Sequence, residues 1–228
     1  MSMSAQEFEA LMPDGEYLLS DEPEMESSLH YAQLALLVSC LEWRWRERDD
    51  FFIGANLTVY YSRGQLRHRE FRGPDLFLVK NTERRPRNSW VVWEEGGRYP
   101  DLIIELLSDS TATIDRTSKK RLYQDHFRTP EYFWFHPETL ELAGFRLDDG
   151  VYNQIPGDDR ELRYSEQLGL YLGVHAGRLR YFDREGAVIA TPAEAAERES
   201  SKAQQEHRRA ETLAARLRAL GIDPDKVE

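Results

Sequence analysis

Pro100-Asp101-Leu102-Ile103-Ile104-Glu105-Leu106-Leu107-Ser108 sets a lone carboxylate inside an otherwise apolar run. Charged side chains rarely occupy buried strands unless they are paired or hold a metal. A second acid stands in similar surroundings upstream, in Gly73-Pro74-Asp75-Leu76-Phe77-Leu78-Val79, and a helix-like segment carrying Lys119 follows downstream. Two strand-borne acids and one helix-borne lysine can make a metal-dependent phosphodiesterase site. The competing reading is a pair of structural acids.

Outward from this run, the pattern predicts a mixed sheet. An apolar helix runs from Ser27 or Ser28, either a suitable N-cap, to about Arg48. It is greasy on most faces (Leu29, Ala32, Leu34, Leu36, Leu37, Leu41, Trp43), so a sheet should cover it. Strand signals follow at Phe51–Tyr61, Glu70–Lys80, Ser89–Glu94 and Arg98–Leu107, separated by Ser62-Arg63-Gly64 and Glu95-Gly96-Gly97. The Gly-Gly turn predicts that the last two form an antiparallel hairpin. A helix is expected from about Asp115 to Phe127, then a buried strand, Glu131-Tyr132-Phe133-Trp134-Phe135. Short strands of a meander are expected over 140–147, 151–155, 169–174 and 178–182. The fold class is α/β, a mixed β-sheet flanked by helices.

At Thr191 the character changes. Thr191-Pro192-Ala193-Glu194 has capping-box spacing with proline at the first helical position. A polar, alanine-rich helix follows and stops at Gly221. Its Ala203, Ala210, Leu213, Leu217 and Leu220 form a short heptad-like stripe interrupted by Glu206. The expected division is a domain over 1–190, with its core at about 25–185, and a charged helical extension over 191–228 that is a candidate coiled coil.

The 228 residues suffice for one well-buried domain plus an appendage. No apolar run reaches bilayer length, and the N-terminus lacks a secretory pattern, so a cytoplasmic protein without membrane attachment is expected. The lone Cys40 allows no internal disulfide and, among Leu36, Leu37, Val38 and Leu41, reads as a buried inert thiol. A net charge of −11 argues against a generic nucleic-acid binder. Its distribution qualifies that. Residues 1–30 carry eight acids and no Lys or Arg, whereas 63–87 is rich in arginine and Arg116, Lys119, Lys120 and Arg121 form a second basic knot. An acidic protein with a basic face beside its carboxylates fits the pattern, as does an ordinary solvated mixture of charges.

Phosphodiester hydrolysis calls for a metal that polarises phosphate and acidifies water. Mg²⁺ takes oxygen ligands and keeps several waters, so two carboxylates plus a main-chain carbonyl suit it. Asp101 and Glu105 lie four residues apart on one strand, roughly 13 Å, too far to share an ion. Glu105 is therefore paired with Asp75, and Asp101 is assigned a strand-edge hydrogen-bonding role.

Gly73-Pro74-Asp75, Pro100-Asp101-Leu-Ile-Ile-Glu105-Leu-Leu-Ser108-x-Ser110-Thr111, Asp115-x-x-x-Lys119-x-x-x-Tyr123 and Pro130-Glu131-Tyr132-Phe-Trp134 together resemble the Uma-type restriction endonuclease family of the PD-(D/E)XK nuclease superfamily. The similarity covers roughly 25–185, and the tail from Thr191 resembles the charged extension of many members. The resemblance implies a restriction-endonuclease-like fold, Asp75 and Glu105 as ligands of Mg²⁺ (or Mn²⁺), and the carbonyl of Leu106 as a third ligand. It implies Lys119 as the catalytic lysine, DNA as substrate, and a homodimer as the common assembly. One departure stands out. The lysine that the superfamily places two residues after the glutamate is Leu107 here, so Lys119 would have to reach back from the helix. Glu26 and His30 fall where such folds place an auxiliary group, with a cap role for Glu26 and a core-edge role for His30 as alternatives. Tyr123 either packs over Lys119 or is structural.

The leading expectation is thus a Mg²⁺-dependent endonuclease. The alternative is a catalytically weak or inactive nuclease-fold module that binds nucleic acid or protein. A carboxylate-pair glycosidase leaves Lys119 unexplained. His126, His136 and His175 lack metal-ligand spacing, and no serine sits in a nucleophile elbow.

Overall fold

The structure, a computed structural model, describes residues 18–20, 27–62 and 73–220. The chain divides into two compact units, Met1–Ile189 and Ala190–Glu228.

The first unit is built on a six-stranded sheet whose order is β1-β3-β5-β6-β7-β8. Its strands are β1 (Phe51–Ala55), β3 (Leu76–Lys80), β5 (Leu102–Leu106), β6 (Glu131–Phe135), β7 (Leu142–Asp148) and β8 (Val151–Gln154). Only β5 and β6 are parallel; the other neighbours run antiparallel. Period-two alternation sends Leu102, Ile104 and Leu106 of β5 to one face, packed with Leu34, Leu37 and Leu41 of helix α1 (Ser28–Arg44). Ile103 faces the opposite core with Tyr123 and Phe127, which belong to a second helix. That helix opens as Ala112–Ile114 and passes into π-helical turns over Asp115–Lys119 and Leu122–Phe127; the whole of 112–127 is α2. Both faces of the central strands are covered, which is why β5 reads as a continuous apolar run.

A three-stranded sheet, β11-β10-β9, joins the core facing α1 through Leu172, Leu179 and Tyr181. Its strands are β9 (Arg163–Ser165), β10 (Leu170–His175) and β11 (Arg178–Phe182). Gln33 of α1 bonds the main chain of Leu179 in both directions, at 2.9 and 3.0 Å. Buried Glu131 of β6 accepts hydrogen bonds from Ser165 Oγ, the amides of Glu166 and Gln167, and Arg146. These satisfied polar groups fix the small sheet to the large one.

Four expectations change. The segments 89–94 and 98–107 do not form a hairpin. β4 (Trp90–Val91) instead pairs in parallel with β2 (Val59–Tyr60), while β5 pairs with β3 and β6. The chain coils after Val91, where Glu94 and Glu95 amides turn back to Val91 O and the Gly97 amide to Val92 O, so no strand enters the Gly96-Gly97 turn. The segment 51–61 is two strands, because Asn56 adopts φ +46 and its amide bonds Asp75 O at 2.8 Å. α1 ends at Arg44, four residues early, capped by the Trp45 amide on Leu41 O. The strands beyond β8 are a separate sheet, not a continuing meander. The strand expected from Glu70 begins at residues outside those described.

Gly54 shows how tightly β1 is packed. A Cβ placed there would overlap the ring of fully buried Phe77, which also meets Phe52 and Trp90. Gly54→Ala is expected to cost about 1–3 kcal/mol through forced repacking, read as a lower melting temperature. An unchanged value would show that the ring yields freely.

The second unit holds α3 (Pro192–Ala219). Its Thr191 hydroxyl accepts from the Glu194 amide at 3.2 Å, and the Glu194 carboxylate accepts from the Thr191 amide at 2.8 Å. The reciprocal bonds satisfy two donors that a bare helix start would leave unpaired.

Candidate active site

Asp75 and Glu105 face each other across the β3–β5 pairing. Leu76 is paired with Ile104, so the next antiparallel step brings Asp75 opposite Glu105 on one face of the sheet. Side chain and main chain interlock there. The Asp75 amide donates to Glu105 Oε2 at 3.2 Å, and the Leu106 amide donates to Asp75 Oδ2 at 2.7 Å. The atom of Leu106 that touches this pair is thus its N–H.

Helix α2 lies over the same face and delivers three further groups. Lys119 Nζ donates to Glu105 Oε1 at 3.0 Å and forms an ion pair with Asp115 Oδ1 at 2.9 Å. Tyr123 OH donates to Glu105 Oε1 at 2.7 Å. Asp115, Lys119 and Tyr123 are spaced by four, a period longer than the 3.6 residues of an α-helical turn. The π-helical turns underwind the backbone and bring such residues toward one line, a geometry frequent at functional sites. The Tyr132 hydroxyl, on β6, donates to the main-chain oxygen of Asp115 at 2.9 Å and ties the helix to the sheet.

From the other side, His30 in the first turn of α1 places Nε2 3.0 Å from Asp75 Oδ1. Ser27, the N-cap, accepts from the His30 amide at 3.1 Å and sets where the helix begins. His30 also lines an open cleft of ≈ 270 Å³ with Ser108, Asp109, Ser110 and His136, leading outward from the end of β5.

The structure therefore brings Asp75, Glu105, Lys119, Tyr123 and His30 into one connected cluster. Glu26 lies outside the described residues, as do Arg63, Arg67, Arg69 and Arg72. Asp101 stands apart and accepts from the Lys80 amide at 2.7 Å. Asp115 is the member that sequence reasoning quoted within a motif but gave no role in the site. Its signal was the four-residue step to Lys119 within a helix, a pattern that is usually a solvated pair.

Burial sets the electrostatics. Glu105 has no exposed surface, and this pushes its carboxyl well above the ordinary 4.5, with Asp75 and Asp115 adding repulsion and Lys119 and Tyr123 opposing it. Burial likewise raises Asp115, against the pull of Lys119. Asp75 is lowered: burial disfavours its charge, but His30, Lys119 and the Leu106 amide together outweigh that. Lys119 is raised despite burial, because Glu105, Asp115 and Asp75 surround it, so it stays an ammonium across the working pH range.

The donors suit a hard divalent cation. Two carboxylates from adjacent strands present oxygens, and each carboxylate offers about four lone-pair sites, more than the N–H donors use. No group of three or more His, Cys, Asp or Glu side chains among the described residues is arranged to hold an ion. A cation here would take Asp75 and Glu105, with main-chain carbonyl and water completing its shell, the arrangement Mg²⁺ tolerates best.

Among the described residues, several side chains of the basic segments are occupied within the chain. Arg84 pairs with Glu42, Arg85 and Arg87 with Glu95, and Arg116 with Glu141. Arg87 also stacks on Phe52 and Trp90, and Lys120 on Phe145.

A family model named Uma2 and described as "Putative restriction endonuclease" matches residues 5–176. No curated protein matches the chain. Among solved structures, one titled as a "putative nuclease belonging to DUF820" from Anabaena variabilis is similar at 15% identity with a TM-score of 0.48, covering 72% of this chain and 89% of that one.

Proposed function

The chain belongs to the Uma2 family, described as "Putative restriction endonuclease", and from that premise we propose that it is a Mg²⁺- or Mn²⁺-dependent endonuclease hydrolysing DNA phosphodiester bonds at the Asp75–Glu105–Lys119 cluster. The observation that carries this reading is Lys119 Nζ at 3.0 Å from Glu105 Oε1. The helix restores to the glutamate the ammonium that position 107 lacks.

A bound divalent cation would supply Lewis acidity to the phosphate and lower the pKa of a water. Asp75 and Glu105 would hold it, with the Leu106 carbonyl as a further oxygen. Hydrolysis joins water oxygen to phosphorus and breaks the bond to one sugar oxygen; water loses a proton and the leaving oxygen gains one. Lys119 is fully protonated, so it serves as a hydrogen-bond donor that offsets charge developing on phosphate oxygens, not as the base. Tyr123 donates to the same Glu105 oxygen as Lys119, and His30 holds Asp75, so both carboxylates are restrained in orientation. The cleft beside His30 and Ser108 is the side from which a phosphate backbone would approach.

Incubating the protein with supercoiled plasmid and Mg²⁺ or Mn²⁺ tests this. Nicked or linear product is expected, and excess EDTA should abolish it. Plasmid left intact with either metal would overturn the proposal.

A second reading, a nuclease-fold module that binds nucleic acid or protein without cutting, draws support from Leu107 standing two residues after Glu105, where the superfamily has its lysine, and from the net charge of −11. Calorimetry separates the two, because the binding module requires no millimolar Mg²⁺ or Mn²⁺ affinity at Asp75 and Glu105.

A further inference from the structure

Three acids surround one lysine in this site. With all three ionised, Asp75, Glu105 and Asp115 would outnumber Lys119 by two charges, in surroundings where Glu105 and Asp115 are buried. Neutralising Lys119 needs only one of them. Glu105 would have sufficed, and a second buried acid beside the same ammonium adds desolvation cost without completing a pair. Such an excess makes physical sense if Glu105 must turn to another positive charge while the ammonium stays in place.

We infer that Asp115 is a positioning residue that anchors Lys119 in the site independently of Glu105, an inference that rests on the nuclease reading above. Its geometry suits the task. Asp115 sits one turn before Lys119 on the same helix, so their 2.9 Å ion pair is maintained by the local backbone. Its main chain is fastened to β6 by the Tyr132 hydroxyl, and its side chain is 2% exposed, so the anchor cannot swing into solvent. Glu105 belongs to the sheet, and the bond from Lys119 to it spans two elements. With Asp115 present, Glu105 gives up Lys119 without releasing the ammonium into solvent. Without Asp115, Lys119 depends on Glu105 alone and competes with whatever cation that carboxylate is to hold.

The experiment is a double-mutant cycle on the full chain with Asp115→Asn, Lys119→Met and the double variant, read by plasmid cleavage and by Mn²⁺ calorimetry. Asp115→Asn should lower kcat and Mn²⁺ affinity by about tenfold or more, the range for groups that orient metal ligands, with KM for DNA little changed. The double variant should be no worse than Lys119→Met, because both changes remove one interaction. Losses that multiply, or an Asp115→Asn protein equal to the wild type, overturn the inference and leave the nuclease reading intact. A wild-type protein that neither binds Mn²⁺ nor cleaves overturns both. Should a variant fail to fold, ¹⁵N NMR of the wild-type Lys119 ammonium during Mg²⁺ titration decides. A signal that keeps slow proton exchange at saturation supports anchoring, and one that reaches solvent-like exchange refutes it.

Discussion

Glu105→Gln is expected to reduce metal-dependent cleavage on the order of 10²–10³-fold, the scale of removing one preorganised charged contact, while the protein stays folded. The amide is nearly isosteric, and its oxygen still accepts from Lys119 and Tyr123. The opposing NH₂ meets the Asp75 amide, a donor facing a donor, which costs about 1 kcal/mol. Relief of repulsion with Asp75 and Asp115 works in the other direction. The melting temperature should therefore lie within about 4 °C of the wild type, the equivalent of roughly 1 kcal/mol at this chain length. The sign of the pH dependence is fixed by the raised carboxyl. The folded wild type retains a proton on Glu105 at pH values where the unfolded chain has lost it, so its stability falls as pH rises above 4.5. The Gln variant lacks this loss, and its melting temperature should improve relative to the wild type between pH 5 and 8. Full cleavage by the variant would remove Glu105 from the chemistry.

Lys119→Met should cost both activity and stability. It strips the counter-charge from Glu105 and Asp115, whose side chains are 0% and 2% exposed. Breaking a buried pair from one side costs about 3–5 kcal/mol, so the melting temperature should fall by about 10 °C on a scale of roughly 2–4 °C per kcal/mol. Without the ammonium both carboxyls rise further, and the folded variant takes up protons that the unfolded chain does not. Its deficit should be smaller at pH 5 than at pH 8, measured as the difference in thermal midpoint from the wild type. An equal deficit at both pH values would mean that other groups already balance the two acids. Cleavage at the wild-type rate would show that the lysine is only structural.

These two variants differ sharply in their effect on stability because the cluster is unbalanced. Removing an acid lowers the local charge excess, whereas removing the single lysine exposes all of it. A site assembled for stability alone would show a loss in both cases.

Much of this arrangement is legible in the chain. An apolar run interrupted by Glu105 identifies a buried strand with a costly charge, and Asp75 repeats the signal thirty residues earlier. Spacing along a strand also removes Asp101 from the site. The Thr191 capping box is equally local, since all its donors and acceptors lie within four residues. The Gly96-Gly97 turn misled because turn chemistry says that a chain reverses, not which strands it joins. β4 found its partner in β2, some thirty residues away, through packing of Trp90 and Val59 in one core.

Sequence by itself indicated most helices and strands and the pairing of Asp75 with Glu105, which follow from periodicity and the cost of burying charge, while the need for a lysine from a later helix followed from the family resemblance and Leu107. Only the tertiary structure decided that Asp115 shares that lysine, that the Leu106 amide grips Asp75, and that Arg84, Arg85 and Arg87, among the described residues, are paired within the chain. Those are contacts between elements. Their energies depend on which groups are driven together away from water, and a linear spacing does not carry that information.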